Sequence, residues 1–298
     1  MSSNLKVFKH PDGTNMYYKN NKLHRDGDLP AIQHPDGTRE YYKNGELHRS
    51  GDLPAVRHPD GTREYYKNGV LHRNGDFPAV KYGNERKYYY DHGLKHRDGD
   101  YPAVEYSDGS TYYYKYGILH RDGDLPAITY PDGSTYYYKN GNLHRDGNLP
   151  AVEYSDGGKY YYKNGELHRD GNYPAIEFPD GGTEYYIFGK LHRDGDFAAV
   201  EHPNGYKAYY KNGLLHRDEG LPAVKYRTGD DEYFLYGTEI SETVANFIAK
   251  RSRAIAKYAF RYWYDWTYAD SNSNAFKARL ARDMAEYEAT TGGFIDDV

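Results

Sequence analysis

The stretch from Leu47 to Leu71, LHRSGDLPAVRHPDGTREYYKNGVL, spans one full period of a 24-residue unit that recurs through most of the chain. A His-Arg pair marks the period, and no residue is gained or lost between successive pairs. Self-similarity at a fixed period of ~20–50 residues indicates stacked supersecondary units rather than one globular core. The histidines of these pairs are His24, His48, His72, His96, His120, His144, His168, His192 and His216.

Two turn signals within the unit predict β-hairpins. Pro59 to Thr62, PDGT, is typical of a type I turn followed by a glycine at positive φ. Asn68-Gly69 is the signal of a type I′ turn, because both residues tolerate positive φ. Short β-prone runs lie between these turns, at residues 54–58 and 62–67, and a third very short strand or turn is expected around Val70 to His72.

Two columns of equivalent residues predict where the units pack. An alanine, Ala55 in the quoted copy, recurs in every unit and never enlarges, as expected where a neighbouring unit approaches closely. The second residue of the Tyr-Tyr pair keeps an aromatic ring throughout, so we predict that this column forms an aromatic core. Its members are Tyr18, Tyr42, Tyr66, Tyr90, Tyr114, Tyr138, Tyr162, Tyr186, Tyr210 and Phe234.

The fold class that follows is mainly β, an elongated array of stacked 24-residue hairpins over residues 1–239. Like residues lie over like, so His and Tyr form structural ladders along it. In one continuous sheet each unit adds two strands, whereas in a β-solenoid each unit is one coil. The two hairpin turns favour the sheet.

Residues 240–298 change to a helical period and are predicted to form a helical hairpin. Ser241 is a suitable N-cap, and apolar residues then recur at three- and four-residue steps. We expect this segment to cap the open end of the sheet or to dock a partner, with Trp263 and Trp266 as the anchors for docking.

Composition excludes several classes of function. The net charge is -5 and both signs are interleaved, so the sequence lacks the basic patch that nucleic acid would require. There is no cysteine, which excludes disulfides and thiolate metal sites and suits a reducing cytoplasm. The start, MSSNLKVFKHPDG, has no apolar segment of a secretory signal, and no apolar run reaches ~18 residues, so neither secretion nor a membrane span is predicted.

No cofactor, catalytic or metal-binding residue is predicted. A catalytic site needs one asymmetric constellation, whereas His, Asp and Tyr here belong to columns of equivalents. Histidines one unit apart are too distant to share Zn²⁺ in the hairpin arrangement, and the Arg-Asp-Gly-Asp segments lack the full ligand spacing of a Ca²⁺ loop. We expect each histidine to bond the Asp-Gly turn that follows it. The fourth unit departs from the pattern at Gly83 to Arg86 and at Asp91-His92, where a bulge or an altered contact is expected.

The consensus H-R-D-G-D-L-P-A-[VI]-x-Y-P-D-G-[ST]-x-x-Y-Y-K-N-G-x-L resembles the tandem repeats with an H-R-x-x-G-P-A core that occur in giant DNA viruses and large phages. It also resembles MORN repeats, whose Tyr- and Gly-rich hairpins stack into an elongated sheet. The resemblance covers residues 5–237 and not the helical tail. The period and the His-Arg and Pro-Ala columns differ from MORN repeats, so their lipid binding is not carried over.

The repeat and the resemblance together imply a non-enzymatic structural or scaffold protein, in particular a virion-associated minor capsid or capsid-stabilising component. Its expected partners are proteins, either capsid proteins or further copies of itself, and its expected location is the cytoplasm or the virion. The alternative is a soluble module that captures a protein, peptide or glycan on the aromatic face of the array.

Overall fold

A unit is best described as running from the Arg of one His-Arg pair to the His of the next, so that residues 49–72 form the third unit. A computed structural model of the protein describes residues 5–250. The chain divides into two compact parts, Met1–Gly189 and Lys190–Val298.

Each unit contains four strands of two residues, which in the third unit are Val56–Arg57, Arg63–Glu64, Tyr66–Lys67 and Val70–Leu71. The first and second strands pair antiparallel, with Val56 opposite Glu64. The second strand also pairs with the first strand of the next unit, with Glu64 opposite Val80. The third and fourth strands form a separate small hairpin, with Tyr66 opposite Leu71.

The same order repeats along the first part of the chain. The N-terminal strands are Leu5–Lys9, Asn15–Lys19 and Lys22–Leu23. The first strands of the following units are Ile32–Gln33, Val56–Arg57, Val80–Lys81, Val104–Glu105, Ile128–Thr129, Val152–Glu153 and Ile176–Glu177. The second strands are Arg39–Glu40, Arg63–Glu64, Lys87–Tyr88, Thr111–Tyr112, Thr135–Tyr136, Lys159–Tyr160 and Thr183–Glu184. The third strands are Tyr42–Lys43, Tyr66–Lys67, Tyr90–Asp91, Tyr114–Lys115, Tyr138–Lys139, Tyr162–Lys163 and Tyr186–Ile187. The fourth strands are Glu46–Leu47, Val70–Leu71, Leu94–Lys95, Ile118–Leu119, Asn142–Leu143 and Glu166–Leu167.

The prediction of hairpins in an antiparallel sheet is therefore confirmed, and the solenoid alternative is not the structure. Each unit adds two neighbouring strands to the sheet rather than one coil. The turn residues explain the choice. Gly61 has a φ of 93°, as the hairpin at Pro59 requires, and Asn68 and Gly69 have φ of 51° and 79°, the two positive values of a type I′ turn.

The predicted second strand is interrupted at one residue, which corrects the sequence interpretation. Residues 62–67 were expected to form one strand, but Tyr65 lies between two strands and belongs to neither. Its N–H donates to the carbonyl of Ala79, and its carbonyl accepts from the N–H of His72. The chain therefore leaves the main sheet at Tyr65 and enters the small hairpin.

The core is thin and is built from small and β-branched residues. The alanine of every unit has no exposed surface, and the valine or isoleucine after it is at least nine-tenths buried. Both backbone groups of this alanine are used, since Ala127 donates to Tyr136 and accepts from Tyr113 of the preceding unit. A larger side chain has no space at this position.

The fourth unit does contain an altered turn. Glu85 has a φ of 69° at the turn position that glycine occupies in the other units. A side chain at positive φ is strained by roughly 1–2 kcal/mol, so this turn is less favourable than its equivalents.

In the second part, the same pattern of short strands is followed by a helix. Its strands are Lys190–Leu191, Val200–Glu201, Lys207–Ala208, Tyr210–Lys211, Leu214–Leu215, Val224–Lys225, Tyr233–Leu235 and Thr238–Ile240, with a 3₁₀ turn at Asp218–Gly220 and an α-helix at Glu242–Lys250.

The helix begins as predicted at Ser241, whose hydroxyl accepts the N–H of Val244 at 3.4 Å. It packs closely on the atypical 3₁₀ turn. A Cβ atom added to Gly220 of that turn would lie only 2.0 Å from the carbonyl oxygen of Ala245 in the helix. The rest of the predicted helical hairpin, with Trp263 and Trp266, lies outside the described residues.

Within residues 5–250, no helix combines the length and apolar character that crossing a bilayer requires.

Candidate functional site

The arginine that begins a unit contacts the preceding unit, as Arg121 illustrates. Its guanidinium lies 3.7 Å from the ring centroid of Tyr113. Nε and Nη2 donate to the two carboxylate oxygens of Asp100 at 2.7 and 2.8 Å, and Nη1 donates to the carbonyl of Pro126 at 3.1 Å. Tyr113 and Asp100 both belong to the preceding unit, so this one side chain joins two units by ring packing and a two-point ion pair.

The same bidentate pair recurs along each part of the chain. In the first part it joins Arg49 to Asp28, Arg73 to Asp52, Arg97 to Asp76, Arg121 to Asp100 and Arg145 to Asp124, and in the second part it joins Arg217 to Asp196. Arg169 differs, because Asn148 replaces the aspartate. Its Nη1 bonds Glu177 at 2.6 Å, but its buried Nε has no hydrogen-bond partner.

Replacing Asn148 by aspartate should therefore stabilise the protein. The new carboxylate would accept the unsatisfied N–H of Arg169, and an unsatisfied buried donor costs about 1–3 kcal/mol. Asn148 has a φ of 59°, close to the 54° and 53° of Asp28 and Asp52, so aspartate suits the backbone. We expect a gain of about 1 kcal/mol in the free energy of unfolding, measured by urea titration. Exchanging Asn164, which lies in another turn, for aspartate is the control and should give no gain.

The histidine that ends each unit makes two structural bonds. The Nε2 atom of His24 bonds Asp26 in the following turn at 2.9 Å, and Nδ1 accepts the backbone N–H of Asn44 from the next unit at 3.0 Å. Since Nδ1 accepts, the proton of the neutral ring lies on Nε2. All nine histidines accept such a backbone N–H. Each imidazole is thus held between two units.

The residue whose N–H reaches the histidine is asparagine in most units and aromatic in others. Tyr116, Phe188 and Tyr236 have φ near 46–48° and stack on His96, His168 and His216 with centroids 4.1, 4.3 and 3.7 Å apart. Stacking contributes about 0.5–1.5 kcal/mol and so offsets much of the strain of a positive φ. Aromatic residues replace asparagine here without loss of the turn.

The tyrosine column predicted as core is only half buried, which corrects that prediction. The most buried rings belong to the preceding column, with Tyr41, Tyr89 and Tyr161 at 8%, 6% and 5% exposure. These rings lie beneath the arginines. The tyrosines of the predicted core column are less buried, and the hydroxyl of Tyr66 donates to Glu64 at 2.9 Å. Burial raises the pKa of the Tyr66 phenol well above its ordinary value, and the neighbouring Glu64 carboxylate raises that pKa further.

A strip of touching rings crosses the sheet between residues 82 and 178, and we call it the aromatic strip. Successive centroids are 5.3–6.3 Å apart and the rings meet edge to face or tilted. Its members are Tyr82, Tyr88, Tyr106, Tyr112, Tyr130, Tyr136, Tyr154, Tyr160 and Phe178. In the third unit His58 and Glu64 occupy the equivalent positions and bond each other at 2.8 Å.

Acid should loosen the array, because its aspartates are held ionised. The arginine hydrogen bond lowers the pKa of Asp124 below the 3.8 of a free side chain, and hydrogen bonds from Lys139 and His144 lower that of Asp146 to about 2. A group with a lowered folded pKa stabilises fully above its unfolded pKa and loses this effect as the pH falls through the folded value. The urea midpoint should therefore drop between about pH 4 and pH 2. Asp124→Asn should be less stable than the unaltered protein at pH 5, and the difference should shrink as the pH falls below 3.8; a difference that stays constant with pH would contradict the assignment.

Within the described part of the chain, one group of three side chains could hold a metal ion, namely His72, Asp91 and His92. The sequence shows the departure of the fourth unit at Asp91-His92, but it does not show that these residues approach His72. The signal available was the replacement of lysine by a carboxylate and of asparagine by histidine at those two positions.

Comparison with known proteins gives little guidance. No protein-family model and no curated protein matches the sequence. Among solved structures, the TCP10 domain of Danio rerio CPAP, in complex with a peptide of Danio rerio STIL, shows 16% sequence identity, with 80% of this chain and 98% of that chain covered. The TM-score is 0.16, so no inference about fold or function is drawn from it.

Proposed function

We propose that this protein is a non-enzymatic scaffold that displays side chains to a protein partner at 24-residue intervals. The observation that carries the proposal is that the arginine and histidine side chains are engaged in bonds between units. Arg121 and His120 are both engaged in bonds between units, and their equivalents repeat these bonds. Side chains engaged in this way hold the array together and are not grouped around a substrate.

The pocket in the second part of the chain fits this interpretation. It has a volume of about 170 Å³ and is lined by His192, Arg193, Asp196, Tyr209, Arg217 and neighbouring residues. Every one of these has equivalents in other units. Its lining is made of repeated residue types, including Arg193 and Arg217, which favours a structural interpretation.

An exposed apolar row supplies a surface for the partner. It consists of the residue two positions before the repeated alanine, and each member is 38–58% exposed. In the first part its members are Leu29, Leu53, Phe77, Tyr101, Leu125, Leu149 and Tyr173, and in the second part Phe197 and Leu221. Large apolar and aromatic side chains concentrate binding energy in protein interfaces. Their regular spacing suits a partner that is itself repetitive.

The resemblance to repeats of giant viruses and large phages supports a virion-associated role, with a capsid protein or further copies of this chain as the partner. A capsid is a periodic surface, and a row of equivalent side chains can bind it at several points, where linked weak contacts reinforce one another.

Co-sedimentation of the protein with assembled virus particles tests this proposal. The unaltered chain should sediment with assembled particles, and the variant Leu125→Ser, Leu149→Ser, Tyr173→Ser should remain in the supernatant. The matched control is Val70→Ser, Leu94→Ser, Ile118→Ser, which alters three comparably exposed residues outside the apolar row. A chain that never sediments with particles would contradict the virion-associated role, and equal behaviour of both variants would contradict the role of the apolar row.

A second candidate is capture of a peptide or glycan on the aromatic strip, which is favoured by the unbroken succession of ring contacts from Tyr82 to Phe178. A ligand that raises the melting temperature of the unaltered protein, but not that of Tyr112→Ser, Tyr136→Ser, would support it. A ligand that stabilises both equally would exclude the strip as its site.

A further inference from the structure

His72, Asp91 and His92 bring two imidazoles and a carboxylate together where the third and fourth units meet. The Oδ1 atom of Asp91 lies 3.2 Å from Nδ1 of His72 and 2.6 Å from Nδ1 of His92. The three ligand atoms lie within 4.8 Å of one another. His72 is held by its surroundings, with its side chain 11% exposed, whereas that of His92 is 74% exposed and free to adjust.

Both added ligands are departures from the repeat. The positions of Asp91 and His92 are Lys-Asn in six of the other units. Lysine at the first position places a cation beside the histidine column and would repel a metal ion, whereas Asp91 is the one carboxylate at this position in any unit. The fourth unit therefore exchanges a positive side chain and a neutral one for two metal-binding side chains.

The Nδ1 atom of His72 faces the carboxylate of Asp91 and accepts only one long bond, from the backbone N–H of His92 at 3.3 Å. The Nε2 atom of His72 lies 2.9 Å from Oδ1 of Asn74, which can only accept, so Nε2 carries the proton. Its Nδ1 is then unprotonated in the neutral ring, yet it lies 3.2 Å from the Asp91 oxygen, which is also an acceptor. Two acceptors at this distance repel each other unless a proton or a metal ion lies between them. The bond to Asn74 also fixes the ring orientation, as outer partners of metal-bound histidines do.

The geometry of the ring pair distinguishes this cluster from the stacked positions. The rings of His72 and His92 are tilted by 41° with centroids 4.6 Å apart, whereas the pairs of Tyr116, Phe188 and Tyr236 with their histidines are within 20° of parallel. In the tilted arrangement both Nδ1 atoms approach the same carboxylate oxygen. Ring stacking alone does not require that approach.

We propose that His72, Asp91 and His92 bind one divalent transition-metal ion of the Zn²⁺ type and so join the third unit to the fourth. Two imidazoles and one carboxylate suit Zn²⁺, which takes three protein ligands and a water at bonds of about 2.0–2.2 Å, whereas Ca²⁺ and Mg²⁺ prefer oxygen ligands throughout. On binding, Nδ1 of His72 gives up its weak 3.3 Å bond from the N–H of His92. The exposed ring of His92 rotates to complete the set.

Calorimetric titration of the untagged full chain with ZnCl₂ tests this site. The unaltered protein should bind one Zn²⁺ at the cluster, and CaCl₂ should give no binding there. The variant Asp91→Lys, His92→Asn restores the pair found at Lys67-Asn68, so its fold should be retained, as circular dichroism would verify. Its Zn²⁺ affinity should fall at least about 100-fold, since even outer-sphere changes weaken metal sites 10–100-fold.

The converse variant, Lys67→Asp, Asn68→His, builds the same set around His48, whose Nδ1 accepts the N–H of Asn68 at the same 3.3 Å. It should raise the stoichiometry from one Zn²⁺ to two. The proposal is overturned if the unaltered protein does not bind Zn²⁺, if the consensus-restoring variant binds it equally well, or if the converse variant gains no site. Equal binding of Ca²⁺ would overturn the assignment of metal class.

Discussion

Replacing Ala127 by leucine is expected to destabilise the protein by about 3 kcal/mol, the upper end of the range for overpacking a filled core. Ala127 has no exposed surface, and both its N–H and its carbonyl are bonded, to Tyr136 of its own unit and to Tyr113 of the unit before. A longer side chain must displace the atoms around it, because the side chain of Ala127 is fully buried. Urea denaturation followed by circular dichroism measures the effect.

The neighbouring exposed residue provides the control. Leu125, two residues earlier, is 44% exposed, and its replacement by alanine should change stability by no more than about 0.5 kcal/mol. If Ala127→Leu were as stable as the unaltered protein, the close approach of units at the alanine column would be wrong.

Arg121→Ala is expected to cost about 2–3 kcal/mol, and most of it should come from packing rather than from charge. The arginine side chain is 15% exposed while that of Asp100 is 56% exposed. Water screens such a pair, so the ion pair itself contributes below about 1 kcal/mol. The stacking on Tyr113 contributes about 0.5–2 kcal/mol, and the carbonyl of Pro126 loses a donor worth about 1 kcal/mol.

Double-mutant cycles separate these contributions. Arg121 should couple to Tyr113, tested as Tyr113→Leu, more strongly than to Asp100, tested as Asp100→Ala. Arg121→Lys keeps the charge but not the planar guanidinium, so it should lose nearly as much stability as Arg121→Ala. Full stability in Arg121→Lys would show that charge alone holds the units together.

Local chemistry made much of the fold predictable from sequence. Asn68-Gly69 and Pro59 to Gly61 specify their turns through the few residues that tolerate positive φ, so hairpins follow without knowledge of distant contacts. The constancy of the alanine column likewise reports a steric limit, which the zero exposure of Ala55 and its equivalents explains.

The position of the core rings was not predictable in the same way. Tyr65 and Tyr66 are adjacent and chemically identical, and alternation decides between them only if the strand is continuous. The strand is interrupted at Tyr65, whose backbone bonds reach Ala79 and His72. Contacts between units, such as that of Arg73 with Tyr65 and Asp52, leave no local signal in the sequence.

The candidate metal cluster was only partly predictable from the sequence for the same reason. The sequence identifies Asp91-His92 as a departure, but only the stacking of units reveals that His72, twenty residues from His92, lies beside it. A ladder of histidines suggested ligands one unit apart, whereas the cluster uses one ladder histidine and two residues of a turn.

Removal of one whole unit tests the stacking of equivalent modules most directly. Deleting residues 121–144 joins His120 to Arg145 and recreates the native His-Arg junction, whereas deleting residues 121–132 removes half a unit and breaks the register. If units stack as equivalent modules, the first deletion should keep the circular dichroism per residue and a cooperative urea transition, and the second should lose both. Unfolding after the whole-unit deletion, or equal tolerance of both deletions, would contradict the account.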